Sequence, residues 1–302
     1  MRGSFFRSKR SIMLAYYLVK ALSSILCLVP RGASDCLGRG LAILLWPFVP
    51  RKRKRLAKQQ ILDCLHVEEK EAERIAKEST LRFGPMLFEV LRSPVIKENM
   101  DEYVTLTGAV EKMHAQLASG KGFIVATSHA GNWELLGGAL AHYGIPLVAV
   151  AKKQTAQGMD KFINEYRALM GMHVTYSKSV REMYDMLKEG WVIGLLSDQD
   201  PSRKDGMVMD FFGRPTNCVV GAATMARFKD VPIFMVQIHK EPDGHHTQWI
   251  SEPVWVEKTK DKKEDIRRTT QQLNNMLEDY IRRYPEDWFW LHDRWKSMRE
   301  EF

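Results

Sequence analysis

The chain has 302 residues and a mass of 34.9 kDa, which is enough for one large domain with a full hydrophobic core. A mean hydropathy of −0.31 excludes a bundle of many membrane spans, and the net charge of +8 is typical of proteins that bind anionic lipid, nucleic acid or an acidic partner. The four cysteines lack the Cys-x-x-Cys spacing of a structural zinc or redox site, which favours a reducing compartment. We expect neither a metal nor a cofactor.

Two apolar runs with basic flanks occupy the first 55 residues. The runs cover residues 12–29 and 37–49, and a cluster of five Arg and Lys residues follows at 51–55. Two arrangements are open: a shallow hairpin with both ends cytoplasmic, or a first run that spans the bilayer beside a second run in its interface. Either makes residues 1–55 a membrane-anchor helical segment ahead of a domain at 56–302. The alternatives are a cleaved signal peptide and a pair of soluble core helices.

The basic cluster suits the anionic leaflet of a membrane, where each cation contributes on the order of 1 kcal/mol. Nucleic acid is not expected, because neither stacking aromatics nor a recognition motif accompanies the cluster.

The rest of the chain has the pattern of an α/β domain. Helical periodicity over residues 56–100 gives way to short apolar strands that alternate with amphipathic helices. The predicted strands cover residues 123–127, 147–151, 172–176, 191–197, 231–238 and 247–250. The predicted helices between them cover 133–142, 157–170 and 180–189, and we expect a last long helix over about 266–284.

His129 follows the strand predicted at 123–127, and Glu134 lies five residues later in the first turn of the next helix. Ligand sites of open α/β sheets lie beyond the carboxyl ends of the strands, so this histidine is placed to meet a substrate. If the loop folds back at Gly131, the carboxylate can bind one ring nitrogen and leave the other as a general base. The alternative is an ordinary loop histidine and an acidic residue that complements the helix dipole.

Four sequence blocks occur together and in order: His-Ala-Gly-Asn-Trp-Glu at 129–134, Ser-Asp-Gln-Asp-Pro at 197–201, Phe-Phe-Gly-Arg-Pro at 211–215 and Trp-Leu-His-Asp-Arg-Trp-Lys at 290–296. With these blocks the chain resembles the bacterial lipid A biosynthesis (lauroyl/myristoyl-type) acyltransferases of the lysophospholipid acyltransferase-like superfamily. The resemblance implies a central mixed sheet flanked by helices, with His129 and Glu134 as the catalytic dyad. It further implies an acyl carrier protein as donor and a lipid A precursor as acceptor, at the cytoplasmic face of the cell inner membrane.

Five residues near the predicted strand ends are candidates for substrate binding: Asn132, Lys152, Asp198, Asp200 and Arg214. A guanidinium such as that of Arg214 can hold a phosphorylated acceptor through two parallel hydrogen bonds. The alternative for Arg214 is a structural salt bridge with Asp198 or Asp200. His292 is a second, weaker candidate for chemistry.

Two rival functions remain open from the sequence. One keeps the dyad and acylates another membrane glycolipid, an aminolipid or a lysophospholipid, from acyl-CoA or acyl carrier protein. The other is a non-catalytic protein that binds the membrane surface through its basic patches, which leaves the His-Glu block unexplained.

Overall fold

The structure is a computed structural model that describes residues 9–151, 157–177 and 179–299. The helices that precede the first strand are α1 (Lys9–Cys27), α2 (Arg31–Leu45), α3 (Arg51–Leu65), α4 (Glu69–Leu81), α5 (Phe83–Leu91), α6 (Ser93–Glu98) and α7 (Met100–Tyr103). Those that follow are α8 (Val110–Ala118), α9 (Trp133–His142), α10 (Gln157–Leu169), α11 (Val180–Lys188), α12 (Gly221–Lys229), α13 (Lys262–Arg283) and α14 (Lys296–Arg299).

Seven strands form the central sheet in the order β1-β9-β8-β2-β5-β3-β4. Every neighbouring pair is parallel except β8 and β9, so the mixed sheet predicted from the sequence is present. The bounds are β1 (Val104–Gly108), β2 (Ile124–Thr127), β3 (Leu147–Ala151), β4 (His173–Tyr176), β5 (Val192–Leu196), β8 (Ile233–Lys240) and β9 (His246–Ile250). A separate antiparallel hairpin joins β6 (Gly206–Phe211) to β7 (Arg214–Val219).

The strand β2 lies at the middle of the sheet, between β8 and β5. All four of its residues are buried, and successive side chains enter opposite faces, because strand residues alternate. Ile124 and Ala126 join the core under α12 and α13, whereas Val125 joins the core under α8 and α9. Helices therefore cover both faces, as parallel strands require.

The helices α1 and α2 pack on the body of the protein. Tyr16 donates to Glu165 of α10 at 2.6 Å, and Ser23 contacts Tyr166 and donates to the main-chain oxygen of Leu91. Gly38 of α2 meets the backbone of α5 so closely that a Cβ there would lie 2.8 Å from the carbonyl oxygen of Gly84. The domain boundary at residue 55 stays a prediction.

Much of the outer face of α1 and α2 is apolar and exposed. The exposed large side chains are Leu14, Tyr17, Leu18, Leu22, Ile25 and Leu28 in and after α1, and Leu37, Leu41, Ile43, Leu44, Leu45 and Phe48 in and after α2. On α1 they follow helical spacing, so they form one stripe. Within the described ranges, the helices all fall short of the combined length and hydropathy that a bilayer span needs.

Candidate active site

The loop after β2 carries His129, and its backbone is held in one conformation. Gly131 has φ +56°, and a Cβ at this position would lie 1.9 Å from the carbonyl oxygen of Ile238 in β8. Glycine is therefore required both for the left-handed backbone and for the close approach. The guanidinium of Arg82 donates to the carbonyl oxygens of His129, at 3.0 Å, and Gly131, at 2.7 Å.

Asp198, which follows β5, is the partner of His129. Its Oδ1 lies 2.8 Å from Nδ1 of the imidazole, and its Oδ2 accepts from the main-chain nitrogen of His129 at 3.0 Å. The indole of Trp288 donates to the same Oδ2 at 2.9 Å. Burial alone would raise the pKa of the Asp198 carboxyl, but the adjacent imidazole and these hydrogen bonds outweigh burial and lower that pKa below its ordinary value. The carboxylate thus stays ionised and accepts the proton of Nδ1.

The hydrogen bond expected between Glu134 and His129 is absent, and that expectation is wrong. Both carboxylate oxygens of Glu134 are bound by Arg167 of α10, at 2.8 and 2.5 Å. Glu134 is the second residue of α9, and a bidentate pair with a guanidinium fixes its direction. The place expected for Glu134 is taken by Asp198, which follows the neighbouring strand β5.

Asn132 caps the helix that follows the loop. Its side-chain oxygen accepts from the main-chain nitrogen of Leu135 at 3.1 Å, and its amide nitrogen donates to Glu89 at 2.7 Å. The side chain is buried, and its groups are used by these contacts. Asn132 therefore shapes the loop, and substrate binding by this residue stays a prediction.

Asp200 and Arg214 are each held by a partner that the sequence did not indicate. The carboxylate of Asp200 accepts from the main-chain nitrogen and the hydroxyl of Ser297, at 2.8 and 2.7 Å. Arg214 donates to Asp63 at 2.8 Å and covers the ring of Trp295, so the alternative considered for it, a salt bridge to Asp198 or Asp200, is not formed. Substrate binding by Asp200 and Arg214 stays a prediction, and Lys152 lies outside the described residues.

His292 borders the site from the carboxyl-terminal segment. Its Nε2 accepts from the main-chain nitrogen of Asp200 at 3.1 Å, and burial lowers the pKa of its imidazole. A neutral ring whose Nε2 is occupied is suited to holding the 198–201 turn in place.

A row of half-buried aromatic rings begins beside the imidazole of His129. Trp133 lies 5.1 Å from it, and Phe83 packs edge-on against both Trp133 and Phe289, at 6.0 and 5.1 Å between ring centres. Such a surface suits an apolar chain rather than a polar ligand. Among the residues that the structure describes, no group of three or more His, Cys, Asp or Glu side chains could hold a metal ion.

The partner of His129 carried one usable signal in the sequence. Asp198 follows the most apolar predicted strand, so it was expected at the same edge of the sheet as His129. What the sequence did not supply was the strand order, in which β5 lies directly beside β2.

Comparison with known proteins gives a consistent result. The family model described as bacterial lipid A biosynthesis acyltransferase matches residues 5–297. A phosphatidylinositol mannoside acyltransferase of Mycobacterium tuberculosis is 27% identical over 72% of this chain and 69% of its own length. A lipid A biosynthesis palmitoleoyltransferase of Escherichia coli is 22% identical over 86% of this chain and 84% of its own.

Among solved structures, the 1-acyl-sn-glycerophosphate acyltransferase of Thermotoga maritima aligns with 76% of this chain and 97% of its own, at 16% identity and a TM-score of 0.36. The family that the four sequence blocks indicated is confirmed by the match over nearly the whole chain. The chain belongs to the bacterial lipid A biosynthesis acyltransferase family.

Proposed function

We propose that this protein transfers a fatty acyl group from the thioester of an acyl carrier protein to a hydroxyl of a lipid A precursor, with His129 as general base. The observation that carries the proposal is the pairing of His129 with the buried carboxylate of Asp198, just after the carboxyl ends of the neighbouring strands β2 and β5. A protein that only bound the membrane surface would have no use for this pair.

The pairing supports a defined proton path. Because Asp198 accepts the proton of Nδ1, the lone pair of the imidazole lies on Nε2, and the side chain of His129 is 21% exposed. Nε2 takes the proton of the acceptor hydroxyl while the hydroxyl oxygen attacks the carbonyl carbon of the thioester. When the carbon–sulfur bond breaks, the same proton passes to the departing thiolate. General-base help of this kind contributes about 10² to 10⁴-fold in rate.

Glu134 has a different role from Asp198. Its ion pair with Arg167 is mostly buried, with side-chain exposures of 14% and 16%, and it joins the first turn of α9 to α10. The loop that carries His129 ends where α9 begins. We therefore propose that Glu134 positions the loop and that Asp198 supplies the charge next to the imidazole.

The acceptor has a second candidate. The relative with the higher identity is named a phosphatidylinositol mannoside acyltransferase, and the relative with the longer overlap is named for lipid A. Both names describe a glycolipid, so a mannosylated or otherwise glycosylated membrane lipid is the alternative acceptor. Acyl-CoA is the alternative donor.

We also propose that the apolar outer face of α1 and α2 lies in the membrane at the cytoplasmic face of the inner membrane. The exposed stripe on α1 and the basic cluster at 51–55 support an in-plane contact, in which apolar side chains enter the leaflet and cations meet its headgroups. A lipid acceptor would then reach the site without leaving the membrane.

A transfer assay with the purified full chain in detergent tests the function. Acyl carrier protein and CoA thioesters are offered with a lipid A precursor or a phosphatidylinositol mannoside, and the products are identified by mass. We expect one glycolipid to gain one acyl chain. His129→Ala should abolish this transfer, whereas replacement of the exposed His173 by alanine should leave it unchanged. Unchanged lipids with every donor, or full activity of a folded His129→Ala, would refute the proposal.

A further inference from the structure

A basic cleft lies between the start of α3 and the carboxyl-terminal segment, and its volume is about 850 Å³. Five cationic residues line it: Lys52, Arg53, Arg55, Lys296 and Arg299. Two segments that are far apart in sequence therefore bring their positive charges to one concavity.

The positive charge of the cleft is only partly balanced by its own carboxylates. Asp293 pairs with Arg299, and Asp200 is bound to Ser297. Within the described residues, Lys52 and Arg55 have neither an ion pair nor a hydrogen bond from their side chains. Closely spaced like charges repel one another, and a bound anion would relieve that repulsion.

The walls of the cleft are held together by buried contacts. Gln60 of α3 is buried and donates to the main-chain oxygens of Trp290 and His292, at 2.8 and 2.9 Å, while its own oxygen accepts from the main-chain nitrogen of Arg294. The cleft is thus formed before any ligand arrives, and binding does not have to order it.

The cleft borders the catalytic pair. Asp200 and His292 belong to its lining, and Asp200 is two residues from Asp198, which holds the imidazole of His129. A ligand in the cleft would therefore contact the turn that follows Asp198.

We propose that this cleft binds a phosphate group carried by one of the two substrates and thereby places that substrate against His129. The inference rests on the proposed function and deepens it. A cluster of Lys and Arg side chains matches a phosphate, which accepts several charge-assisted hydrogen bonds at once. Asp200 and His292 line the cleft beside the turn that follows Asp198, which favours a substrate over an acidic protein surface. The phosphate comes from the acceptor lipid or from the phosphopantetheine arm of the donor.

Calorimetric titration of the full chain with inorganic pyrophosphate tests the cleft without depending on transfer activity. We expect pyrophosphate to bind more weakly as the salt concentration rises. The double variant Lys52→Ala with Arg55→Ala should lose at least about tenfold in affinity for pyrophosphate, whereas Arg55→Lys should keep its affinity. The control pair Lys262→Ala with Lys263→Ala removes two exposed cations outside the cleft and should bind as the unmodified protein does.

Two comparisons separate the sources of the phosphate. In one, decanoyl-phosphopantetheine is compared with decanoyl-pantetheine as donor; in the other, a phosphorylated acceptor is compared with its dephosphorylated form. If replacing Lys52 and Arg55 removes the preference for the phosphorylated donor, the phosphate in the cleft comes from the donor. If it removes the preference for the phosphorylated acceptor, the phosphate comes from the acceptor lipid. The proposal is overturned if pyrophosphate does not bind, if both alanine pairs bind it equally well, or if the cleft pair loses only the affinity for acyl carrier protein. Pyrophosphate binding without any transfer would reject the proposed function and keep the anion site.

Discussion

Asp198 holds His129 at two points, because one carboxylate oxygen contacts Nδ1 of the ring at 2.8 Å and the other accepts from the residue's own main-chain nitrogen at 3.0 Å. The carboxylate therefore fixes the backbone and the ring together. This double contact sets the ring's tautomer and direction, which a single hydrogen bond to the ring would set less firmly.

The first prediction concerns Gly131, where the loop touches β8. Gly131→Ala places a Cβ 1.9 Å from the carbonyl oxygen of Ile238, so the loop must move and carry His129 with it. We expect transfer to fall by about 100-fold or more, since small displacements of catalytic groups cost that much. Initial rates measure the effect.

Gly190→Ala is the matched control for Gly131→Ala. Gly190 also has a positive φ, +87°, but a Cβ there would meet nothing within 4 Å. Both substitutions introduce about 1 kcal/mol of backbone strain. Only the one at Gly131 also brings a Cβ into collision with a neighbouring carbonyl oxygen. Equal losses of transfer in the two variants would show that strain alone, not the position of the loop, is responsible.

The second prediction concerns the pH dependence of stability through Glu89. Burial would raise the pKa of this carboxyl, but His246 and Lys240, at 3.0 and 2.5 Å, lower it from 4.5 to about 2. A carboxyl whose pKa is lower in the folded state stabilises the fold at pH values above its unfolded pKa. That contribution, on the order of a few kcal/mol, is lost as the pH falls from about 4.5 towards about 2.

Urea unfolding measured at a series of pH values in this range tests the role of Glu89. Glu89→Gln should flatten the fall in the free energy of unfolding that the unmodified chain shows, because glutamine cannot be protonated in this range. Glu111→Gln removes an exposed carboxyl from α8 and should leave the slope as it is. If both variants followed the same curve as the parent protein, Glu89 would have no such role.

The third prediction concerns the apolar stripe of α1. Leu18, Leu22 and Ile25 are 61%, 44% and 61% exposed, so their replacement by glutamine should leave the fold intact. We expect the triple variant to bind vesicles that contain anionic phospholipid at least about tenfold more weakly, because apolar area no longer enters the leaflet. Sedimentation with the vesicles gives the partition coefficient.

Phe228→Gln supplies the control for the stripe, since this side chain is 69% exposed on α12 of the body. It should not change vesicle binding. Undiminished binding by the triple variant, or an equal loss in the control, would argue against an in-plane contact by α1.

The sequence predicted local structure better than it predicted contacts. The bounds of α9 and β3 agree with the prediction residue for residue, because apolar periodicity and glycine positions are local features. The short strand β1 and the hairpin of β6 and β7 were missed. The strand β1 lies at one edge of the central sheet, and β6 and β7 lie outside it. Strands in such positions have a weaker pattern of apolar residues in the sequence.

The partner of Glu134 shows why the site was harder to predict than the fold. Proximity in sequence favoured His129, five residues away, but Arg167 reaches the carboxylate from α10, 33 residues away. Asp198, likewise, meets His129 across 69 residues, only because β5 lies beside β2. Strand order and helix packing determine these contacts, and the spacing of residues along the sequence predicts neither of them.

The central claim is that Asp198 serves His129 as its charged partner and that Glu134 does not. The most direct test compares the initial rates of acyl transfer by Asp198→Asn and Glu134→Gln under identical conditions, with folding of both variants verified by circular dichroism. We expect Asp198→Asn to lose about 10² to 10⁴-fold and Glu134→Gln to lose less than about tenfold, since glutamine can still accept from Arg167. A near-normal rate for Asp198→Asn together with a collapse for Glu134→Gln would contradict the account.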